Sequence, residues 1–379
     1  MEQIRMVDLK NQYLKIKKEI DEAIESVIQG TDFIKGSAVK VFEKNLAQYL
    51  GVKYVISCAN GTDALQIALM SLDLKPHDEI ICPSFSFISG AEMAGLLNLR
   101  PVFVDVDYDN FNTTVENITQ AISVKTRVIM PVHLFGQGAD MEKIMAIAKQ
   151  YNLTVIEDNA QSLGAEYRFS DDTVKKLGTI GNIGCTSFFP SKNLGCFGDG
   201  GALFTNDEKL AEKMHLIANH GMKEKYNNER IGINSRLDTL QAAVLNVKLR
   251  YLDSYISARR KVAEIYYENL KDLKEYIILP KRESYSDHTF HQFTLKVLNG
   301  KRDELKLYLA DKGIPSSVYY PKPLHLQQAF IHIERQGNNM EVSEQLSKEV
   351  LSLPMHTELD LEQQMYIIET IKEFFTKTK

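Results

Sequence analysis

Hydrophobic residues near the start of the chain recur every three or four positions, as they do on one face of a helix. They are Tyr13, Ile16, Ile20, Ile24 and Ile28. This spacing predicts an amphipathic helix over Asn11–Ile28, and a second predicted helix covers Ala38–Leu50 and ends at Gly51.

Short apolar runs then alternate with helical segments. The predicted strands are Tyr54–Cys58, Glu79–Cys82, Val102–Val106, Val128–Val132 and Thr154–Glu157. The predicted helices follow the first strand as far as Ser71 and also cover Ile88–Leu97 and Met141–Tyr151. This alternation predicts an α/β fold with a mainly parallel sheet that is covered by helices on both faces.

Two further apolar runs, Cys185–Phe189 and Gly201–Thr205, flank a glycine-rich connection that contains Lys192. Two strands joined in this way hold the lysine beside the end of a sheet, away from bulk water. Loss of solvation lowers the pKa of a lysine, and an uncharged amine can form a Schiff base with a carbonyl group. The alternative is an ordinary solvated lysine in a loop.

The rest of the chain has a different order of elements. Asp207–Asn219 is predicted to be helical, and Arg236–Leu273 is predicted to be one long helix or a helix pair. Beyond Pro280 the pattern predicts a smaller α+β domain with a strand at Thr289–Val297, a loop at Val318–His325, and helices at Arg302–Asp311, Glu341–Leu351 and Leu361–Phe375. We therefore expect a large domain over residues 1–250 and a smaller C-terminal domain over residues 251–379.

Composition narrows the class of protein. Of the 379 residues, 44% are hydrophobic and 25% are charged, which is typical of a soluble globular protein. The formal net charge of −5 and the lack of a dense basic run give no support to nucleic-acid binding. Because no apolar run of ~18 residues and no apolar signal segment occur, we expect a cytoplasmic protein without a membrane span.

The spacing of the cysteines and the lack of a Walker motif argue against two further classes of protein, zinc-binding proteins and NTPases. The cysteines Cys58, Cys82, Cys185 and Cys196 form no CxxC pair and no cluster with histidine. The sequence therefore predicts reduced, buried thiols and no metal site. No GxxxxGK[ST] motif occurs, which argues against an NTPase.

The turn Asn60-Gly61-Thr62-Asp63 follows a predicted strand and opens a helix. Free backbone N–H groups and the positive end of the helix dipole favour an anion such as a phosphate at this place. The alternative is a helix N-cap by Thr62 or Asp63 and nothing more.

Asp158 follows the predicted strand Thr154–Glu157, at the edge of a parallel sheet where ligands bind. A carboxylate there keeps a heterocyclic nitrogen protonated, which pyridoxal phosphate (PLP) needs in order to act as an electron sink. The alternative is a carboxylate that only caps a helix.

Other polar and aromatic residues beside these turns have two interpretations each. Phe87 could lie against a flat cofactor or belong to the core. Ser187 and Ser191 flank Lys192 and could donate hydrogen bonds to a phosphate. Arg236 could bind a carboxylate or phosphate, or it could remain solvated at a helix start.

Several segments, in this order, resemble the DegT–StrS family of PLP-dependent nucleotide-sugar aminotransferases. They are ANGTDAL (Ala59–Leu65), PSFSFISGA (Pro83–Ala91), PVHLFGQGAD (Pro131–Asp140), VIEDNAQSLGA (Val155–Ala165), FFPSKNLGCFGDGGALFTND (Phe188–Asp207), GINSRLDTLQAAVL (Gly232–Leu245) and YYPKPLHLQQAF (Tyr319–Phe330). The likeness extends from the first helix to Ser352–His356. It implies an aspartate-aminotransferase-like fold (PLP fold type I), with a seven-stranded mixed sheet in the large domain and a smaller α+β C-terminal domain.

The resemblance also implies roles for individual residues around the cofactor ring. Lys192 forms the Schiff base with PLP and shuttles protons between the substrate and the cofactor. Asp158 pairs with the pyridine nitrogen, and Gln161 hydrogen-bonds the 3-hydroxyl group. Phe87 stacks on the face of the ring, with Phe85 as the alternative.

For the cofactor phosphate, the resemblance implies binding by Gly61, Thr62 and Ser187, together with Asn234 from a second subunit. The active sites of a homodimer are therefore expected to be shared between its subunits. His133 and His220 also lie in or beside matching segments, but we expect only hydrogen bonding in the core or in a loop from them.

Lys192 places the chain among the transaminases of the family, because its dehydratases have histidine at this position. The chain looks most similar to enzymes that aminate C3 of a 3-oxo nucleotide sugar, above all UDP-2-acetamido-2-deoxy-3-oxo-glucuronate, with L-glutamate as the amino donor. Arg236 then meets the sugar carboxylate, while His325 and the pair Tyr319-Tyr320, where the family more often has His-Tyr, border the sugar.

The expected product serves polysaccharide biosynthesis, such as that of a lipopolysaccharide O-antigen. Two alternatives remain open for the function. One is a dTDP-3-oxo-6-deoxyhexose as the sugar substrate. The other is a non-catalytic regulatory protein that binds PLP.

Overall fold

The computed structural model describes residues 3–333 and 339–377. Its strands are β1 (Tyr54–Cys58), β2 (Glu79–Pro83), β3 (Arg100–Val104), β4 (Thr126–Ile129), β5 (Thr154–Asp158), β6 (Glu166–Arg168), β7 (Val174–Lys176), β8 (Ile183–Ser187), β9 (Gly201–Thr205), β10 (Met222–Glu224), β11 (Asn227–Asn228), β12 (Ile277–Ile278), β13 (Phe293–Val297) and β14 (Val350–Leu353). Its helices are α1 (Leu9–Lys15), α2 (Lys17–Gly30), α3 (Ser37–Leu50), α4 (Gly61–Ser71), α5 (Ser89–Leu96), α6 (Val115–Ala121), α7 (Met141–Tyr151), α8 (Glu208–Ile217), α9 (Thr239–Leu249), α10 (Leu252–Leu270), α11 (Arg302–Asp311), α12 (Glu341–Glu349) and α13 (Leu361–Lys377).

The largest sheet has seven strands in the order β1-β9-β8-β5-β4-β2-β3. The strands from β8 to β3 are parallel neighbours, whereas β9 pairs antiparallel with both β1 and β8. The predicted α/β fold with a mixed seven-stranded sheet is therefore confirmed. Because β1 runs parallel to β8, the carboxyl ends of β1, β2, β5 and β8 meet at one edge of the sheet.

Successive side chains of the strands point to opposite faces of this sheet and are apolar on both, which explains why helices cover both faces. Ile80 packs in the cluster that contains α4, α5 and α8, and its neighbour Ile81 packs in the cluster that contains α6 and α7. Successive strand residues point to opposite faces, so a strand that is apolar throughout needs a helix layer on each side. Each fully buried Ile or Leu stabilises the fold by about 1.5–3 kcal/mol.

The C-terminal region has its own sheet and hydrophobic cluster. Strands β12, β13 and β14 form an antiparallel sheet, and α10, α11 and α13 pack with it. Helix α10 joins the two regions, because Ile256 belongs to a cluster of the large sheet and Tyr266 to the C-terminal cluster. The division into residues 1–250 and 251–379 stays a prediction.

Several predicted boundaries differ from the structure. The N-terminal helix is divided at Ile16, whose φ of −121° leaves the helical region while its side chain packs against α9. Of the two options for the charged segment, the helix pair α9 and α10 is confirmed. The prediction of a helix as far as Leu351 is wrong at its end, because residues from Val350 onward pair with β13 instead.

The strand predicted at Thr289–Val297 begins only at Phe293. The backbone N–H groups of Thr289 and Gln292 donate to Gly136 and Phe135 instead of to a neighbouring strand. The small hairpins β6–β7 and β10–β11 were not predicted at all, since short polar strands carry no hydrophobic alternation.

Two chain-wide predictions can also be compared with the structure. The four cysteines are free and buried, as predicted. Among the helices that the structure describes, none combines the length and the apolar character that a membrane span requires.

Candidate active site

A cavity of about 800 Å³ lies at the edge of the large sheet where the carboxyl ends of β1, β2, β5 and β8 meet. Many of the residues singled out from the sequence line it. They are Gly61, Thr62, Phe87, Asp158, Gln161, Ser187, Ser191, Lys192, Tyr319 and Tyr320. The carboxyl ends of parallel strands lie at the same edge of the sheet even when the strands are far apart in the sequence. Residues that follow different strands therefore line one cavity.

Lys192 lies on the connection between β8 and β9 and is half-buried in the cavity wall. Burial lowers the pKa of its amine to about 8, while the charge of Asp158 acts in the opposite direction. A Cβ at Gly195 would lie 2.2 Å from the carbonyl oxygen of Pro190, so the tight return of this loop requires glycine there. The lysine is thus held near the sheet, and about a tenth of its amine is uncharged at pH 7, far more than for a lysine of ordinary pKa.

Asp158 ends β5 and is only 8% exposed. Its Oδ1 accepts a hydrogen bond of 3.0 Å from the backbone N–H of Ala160. Burial raises the pKa of this carboxyl group, and the Ala160 N–H and the charge of Lys192 oppose the increase. Because a buried carboxylate is stable only with a hydrogen-bonded or cationic partner, its position in the cavity suits the protonated nitrogen of a ligand.

The N-terminus of α4 forms another part of the cavity wall. The side chain of Asn60 accepts a hydrogen bond of 2.8 Å from the N–H of Asp63, so Asn60 is the N-cap of α4. The alternative interpretation of this turn, a cap by Thr62 or Asp63, is therefore wrong. The N–H groups of Gly61 and Thr62, which have no partner within a helix, remain for a ligand. A Cβ at Gly61 would lie 2.6 Å from the Cβ of Ser187, so glycine lets the serine approach the helix end.

Two hydrogen bonds fix the amide of Gln161. Its Oε1 accepts a bond of 2.6 Å from the N–H of Phe135, and its Nε2 donates a bond of 3.2 Å to the hydroxyl of Tyr320. The donor end of the amide therefore lies beside Tyr320, which also lines the cavity. This orientation suits donation to an oxygen of a ligand.

The two candidate stacking residues have different environments. Phe87 is 57% exposed, lines the cavity, and lies 6.5 Å from the ring of Tyr320. Phe85 is fully buried and packs against Phe111. Phe87 therefore offers an aromatic face to a ligand, whereas Phe85 belongs to the core.

Three residues that the sequence analysis assigned to cofactor or sugar binding do not line this cavity. Asn234 is exposed beside Asn219, and Arg236 lines a separate pocket of about 330 Å³. His325 is 3% exposed, with its Nδ1 at 2.5 Å from the Oγ of Ser84 and its Nε2 at 3.1 Å from Glu344. Within one chain, His325 therefore connects Ser84, the residue after β2, to α12, and it does not line the cavity.

Sequence reasoning missed several polar residues of the cavity wall, among them His291 and Gln292. These two lie in Thr289–Val297, which the sequence pattern predicts to be a strand, and for this reason they were not recognised as residues of a site. His133, by contrast, meets the expectation of a core hydrogen bond, because its Nε2 lies 2.9 Å from Glu157. His220 is exposed in the loop after α8, also as expected.

The cavity fits PLP on the chemistry of its lining. Gly61, Thr62 and Ser187 supply donors for a phosphate, and Phe87 supplies a surface for an aromatic ring. Asp158 supplies the anion for a pyridinium nitrogen, and Lys192 supplies an amine of lowered pKa for the aldehyde.

Comparison with known proteins agrees with this fit. The model of the DegT/DnrJ/EryC1/StrS aminotransferase family matches residues 14–372. The chain is 43% identical over 373 residues to the "Pleiotropic regulatory protein" of Geobacillus stearothermophilus, with 98% of each chain covered. It is also 43% identical over 357 residues to the UDP-2-acetamido-2-deoxy-3-oxo-D-glucuronate aminotransferase of Pseudomonas aeruginosa, with 94% of this chain and 96% of the relative covered.

A third relative acts on another nucleotide sugar. The dTDP-3-amino-3,6-dideoxy-alpha-D-galactopyranose transaminase of Aneurinibacillus thermoaerophilus is 39% identical over 371 residues, with 98% of this chain and 99% of the relative covered. The three relatives thus include two nucleotide-sugar enzymes that differ in their nucleotide base.

Solved structures confirm the fold. A DegT DnrJ EryC1 StrS aminotransferase from Brucella abortus has a TM-score of 0.93 and 42% identity, over 98% of this chain and 99% of that chain. The protein ntda from Bacillus subtilis, with bound cofactor PMP, has a TM-score of 0.90 and 30% identity, over 99% of this chain and 86% of that chain. The predicted aspartate-aminotransferase-like fold and the predicted cofactor, PLP, are both confirmed. The chain belongs to the DegT/DnrJ/EryC1/StrS aminotransferase family.

Proposed function

We propose that this protein transfers the amino group of L-glutamate to C3 of UDP-2-acetamido-2-deoxy-3-oxo-glucuronate. At a coarser level, the chain is a sugar aminotransferase. The observation that carries the proposal is the meeting of Lys192, Asp158 and Gln161 in one cavity. The Pseudomonas aeruginosa enzyme named for this sugar, at 43% identity, supports the choice of substrate.

Lys192 performs the proton chemistry of the proposed reaction. When bound, PLP supplies an electron sink for the carbon that loses a proton. Lys192 would hold the cofactor covalently, and its amine, once released, would accept the proton from the carbon of the amino donor and pass it to the cofactor; in the second half of the reaction it would move a proton from the cofactor to C3 of the sugar. A pKa of about 8 places this amine near the optimum for both steps at neutral pH.

The other residues of the cavity bind and orient the cofactor in this proposal. Asp158 keeps the ring nitrogen protonated, and Gln161 donates from Nε2 to the ring hydroxyl. The N–H groups of Gly61 and Thr62 hold the phosphate at the positive end of α4. These contacts prevent rotation of the cofactor, so that the reacting carbon stays within reach of Lys192.

We further propose that two copies of the chain form a homodimer with shared sites. Phe33, Ile34 and Val41 are large apolar residues that one chain leaves half exposed around the start of α3. Lys35 and Arg236 line one pocket nearby, and no carboxylate of the described residues is ion-paired with either. An apolar patch beside cations without partners suits the sharing of anionic ligands between subunits. In this arrangement Asn234 reaches the partner's cofactor phosphate.

Sugar recognition in the proposal uses both subunits. Arg236 of the neighbouring subunit binds the uronate carboxylate, and Tyr319 and Tyr320 border the sugar from within the cavity. His325 supports this wall indirectly, through its bonds to Ser84 and Glu344.

The proposal is tested by supplying the UDP-3-oxo-uronate and L-glutamate to the PLP-loaded protein. Mass spectrometry should show a product in which an amine replaces the ketone, together with 2-oxoglutarate. An Arg236→Ala variant should raise KM for the uronate while leaving the reaction with L-glutamate alone unchanged. No amination of the uronate under conditions in which L-glutamate still aminates the cofactor would refute the substrate and leave the aminotransferase assignment intact.

The second candidate substrate is a dTDP-3-oxo-6-deoxyhexose, which the Aneurinibacillus thermoaerophilus relative favours. This sugar has no carboxylate, so Arg236→Ala should leave its KM unchanged. Amination of the dTDP sugar with a KM that Arg236→Ala does not change would select this candidate.

A regulatory protein that binds PLP without catalysis is the third candidate, and the name of the Geobacillus stearothermophilus relative is its support. The presence of Lys192, Asp158 and Gln161 in one cavity argues against it. Adding L-glutamate to the PLP-loaded protein decides the question. Loss of the cofactor's visible absorbance selects the enzyme, and an unchanged spectrum with every donor selects the regulator.

We place the reaction in the cytoplasm, where four free thiols remain reduced, and its product in polysaccharide biosynthesis, such as that of a lipopolysaccharide O-antigen. Fractionation of cells that produce the protein tests the location. Loss of the amino sugar from the surface polysaccharide after deletion of the gene tests the pathway.

A further inference from the structure

The hydroxyl of Tyr320 forms a hydrogen bond that a place beside the sugar does not explain. It accepts an N–H of Gln161 Nε2 at 3.2 Å, in the wall of the cavity that contains Lys192. Tyr320 lies between α11 and α12, whereas Gln161 follows β5. The bond therefore joins the C-terminal region to the residue that is proposed to bind the ring hydroxyl of PLP.

The direction of this hydrogen bond follows from the other end of the amide. The Oε1 of Gln161 accepts the backbone N–H of Phe135 at 2.6 Å. An amide turned the other way would place its NH2 group against that N–H, so two donors would face each other inside the protein. Nε2 therefore lies on the side of Tyr320, and the hydroxyl oxygen is the acceptor.

The Tyr320 hydroxyl remains uncharged over the ordinary pH range. Burial raises its pKa, the bond from Gln161 opposes this increase, and the negative charge of Asp158 adds to it. Changes of pH around neutrality therefore leave the acceptor of Gln161 intact.

Aromatic rings fix the position of the Tyr320 side chain. Its ring centroid lies 6.0 Å from that of Phe85, edge to face, and 6.5 Å from that of Phe87. Tyr320 packs against the hydrophobic cluster that contains Phe85 and Phe135. The same cluster thus holds both partners of the Gln161 amide.

Backbone hydrogen bonds hold the segment that carries Tyr320 on both sides. Ser317 donates to Ser352 of β14 at 3.1 Å and accepts from it at 2.7 Å. The N–H of Leu324 donates to the carbonyl oxygen of Ser84, the residue after β2, at 2.8 Å. The C-terminal sheet and the end of β2 therefore determine where the hydroxyl of Tyr320 lies.

The Gln161 amide has one N–H left for a ligand. Its NH2 group carries two hydrogens in one rigid plane, and Tyr320 engages one of them. The other has no acceptor among the described residues. Because the group is rigid, the bonds to Phe135 and Tyr320 together determine the direction of the remaining N–H.

We propose that Tyr320 is a positioning residue for Gln161, whose amide it holds so that the remaining N–H meets the ring hydroxyl of bound PLP. The proposal rests on the proposed role of Gln161 towards PLP and is independent of the sugar substrate. It predicts that the Tyr320 hydroxyl affects the properties of bound PLP even when no sugar is present.

The pH dependence of the absorbance of bound PLP reports on this contact. Negative charge on the ring oxygen stabilises the proton on the Schiff-base nitrogen, and an N–H that donates to this oxygen weakens that effect. Loss or misdirection of the donor should therefore raise the pH midpoint of the absorbance change. A role of Tyr320 in folding alone would lower the melting temperature without moving this midpoint.

Four variants separate the proposed role from its alternatives. Tyr320→Phe removes only the hydroxyl and keeps the ring in its cluster. Gln161→Leu removes the amide, and the double variant completes the cycle. The matched control is Tyr319→Phe, which also removes a hydroxyl from the cavity wall, although one without a hydrogen bond in the described part of the chain. Melting temperatures show whether each variant is folded.

The measurement is an absorbance titration of the PLP-loaded protein without substrate. Gln161→Leu should raise the pH midpoint by about one unit, the equivalent of one lost hydrogen bond. Tyr320→Phe should raise it by about half a unit, because Phe135 still holds the other end of the amide. In the Gln161→Leu background, Tyr320→Phe should cause no further shift, and Tyr319→Phe should stay within about 0.2 unit of the wild type.

Other outcomes overturn the proposal. An unchanged midpoint in Tyr320→Phe, while Gln161→Leu shifts it, would remove the positioning role. Additive shifts in the double variant would mean that Tyr320 acts on the cofactor without Gln161. An equal shift in Tyr319→Phe would assign the effect to the whole segment. A higher KM for the sugar with an unchanged midpoint would make Tyr320 a sugar ligand only. No shift in Gln161→Leu would instead contradict the proposed role of Gln161 towards the cofactor.

Discussion

Two lysines of this protein have the same lowered pKa, about 8, but lie in different surroundings. Lys192 is half-buried in the cavity wall. Lys248 of α9 is 2% exposed, and its Nζ donates a hydrogen bond of 2.5 Å to the carbonyl oxygen of Gly195, on the same loop as Lys192. Lys192 faces the cavity, whereas Lys248 anchors the loop that carries Lys192.

The difference shows that a lowered pKa does not by itself mark a catalytic lysine. Burial is the first cause of the shift at both positions. Lys192 adds two features that Lys248 lacks, which are access to a cavity and the carboxylate of Asp158. Lys248 instead has a carbonyl acceptor and the ring of Phe197, whose centroid lies 5.7 Å from its Nζ.

The largest expected difference between the two lysines is in cofactor absorbance and reaction rate when the amine of each is removed. Lys192→Ala should lose the visible absorbance of the covalently bound cofactor and lower the rate of transamination by at least about 10³-fold, because proton transfer loses its base. Lys248→Met should keep the absorbance. A Lys192→Ala variant that still turned over, or a Lys248→Met variant that lost covalent PLP while remaining folded, would contradict the comparison. Absorbance spectra and single-turnover kinetics measure both.

Asp158 is the second feature that separates the two lysines. Asp158→Asn should still bind PLP at Lys192 but react about 10²-fold more slowly with L-glutamate, because the neutral amide no longer keeps the ring nitrogen protonated. Stopped-flow absorbance measures this rate, and a borohydride-trapped adduct at Lys192 shows that the cofactor is still covalently bound. A wild-type rate in the variant would mean that the carboxylate does not act on the cofactor.

Lys248 should contribute to stability instead of chemistry. Above pH 8, where its amine is largely uncharged, Lys248→Met should lower the free energy of unfolding by about 1–3 kcal/mol, because the buried carbonyl of Gly195 loses its donor. Between pH 8 and 10.5 the unfolded chain binds more protons at this lysine than the folded chain does, so stability rises with pH in this window. The stability difference should therefore grow in favour of the wild type across it, as urea titrations at several pH values can measure.

The smallest effect is the pH dependence of the reaction between the apoprotein and PLP. Only the uncharged Lys192 amine attacks the aldehyde, so the rate should rise about tenfold from one pH unit below 8 to one unit above it. Lys248→Met should leave this profile unchanged, although it removes an amine of the same pKa. A midpoint near the ordinary lysine value of 10.5 would mean that burial does not lower the pKa of Lys192.

The sequence was most informative about polar residues that directly follow a predicted strand or connect two of them. Lys192, Asp158 and the turn at Gly61 each lie directly after or between apolar runs, and such runs are recognisable without a structure. A parallel sheet brings its carboxyl ends to one edge, so the positions of these residues along the chain already implied that they would meet. The family resemblance added their roles, because residue patterns alone left each alternative open.

The sequence was least informative where a position depends on distant partners. His291 lies in a segment whose apolar alternation predicts a strand, and only the bonds from Gly136 and Phe135 make that segment a loop of the cavity. Val350 continues a helical pattern, yet it pairs with Lys296 of β13. In both cases contacts between residues far apart in the chain override local propensity.

The amino-acid sequence by itself determined the α/β class and the edge of the sheet at which the cavity lies. These features follow from hydrophobic periodicity and from residues next to one another along the chain. The tertiary structure alone decided that Asn60 caps α4, that His325 connects Ser84 to Glu344 outside the cavity, and that His291 lines the same cavity as Lys192. Burial and hydrogen bonding depend on which remote segments pack together, and local patterns do not contain that information.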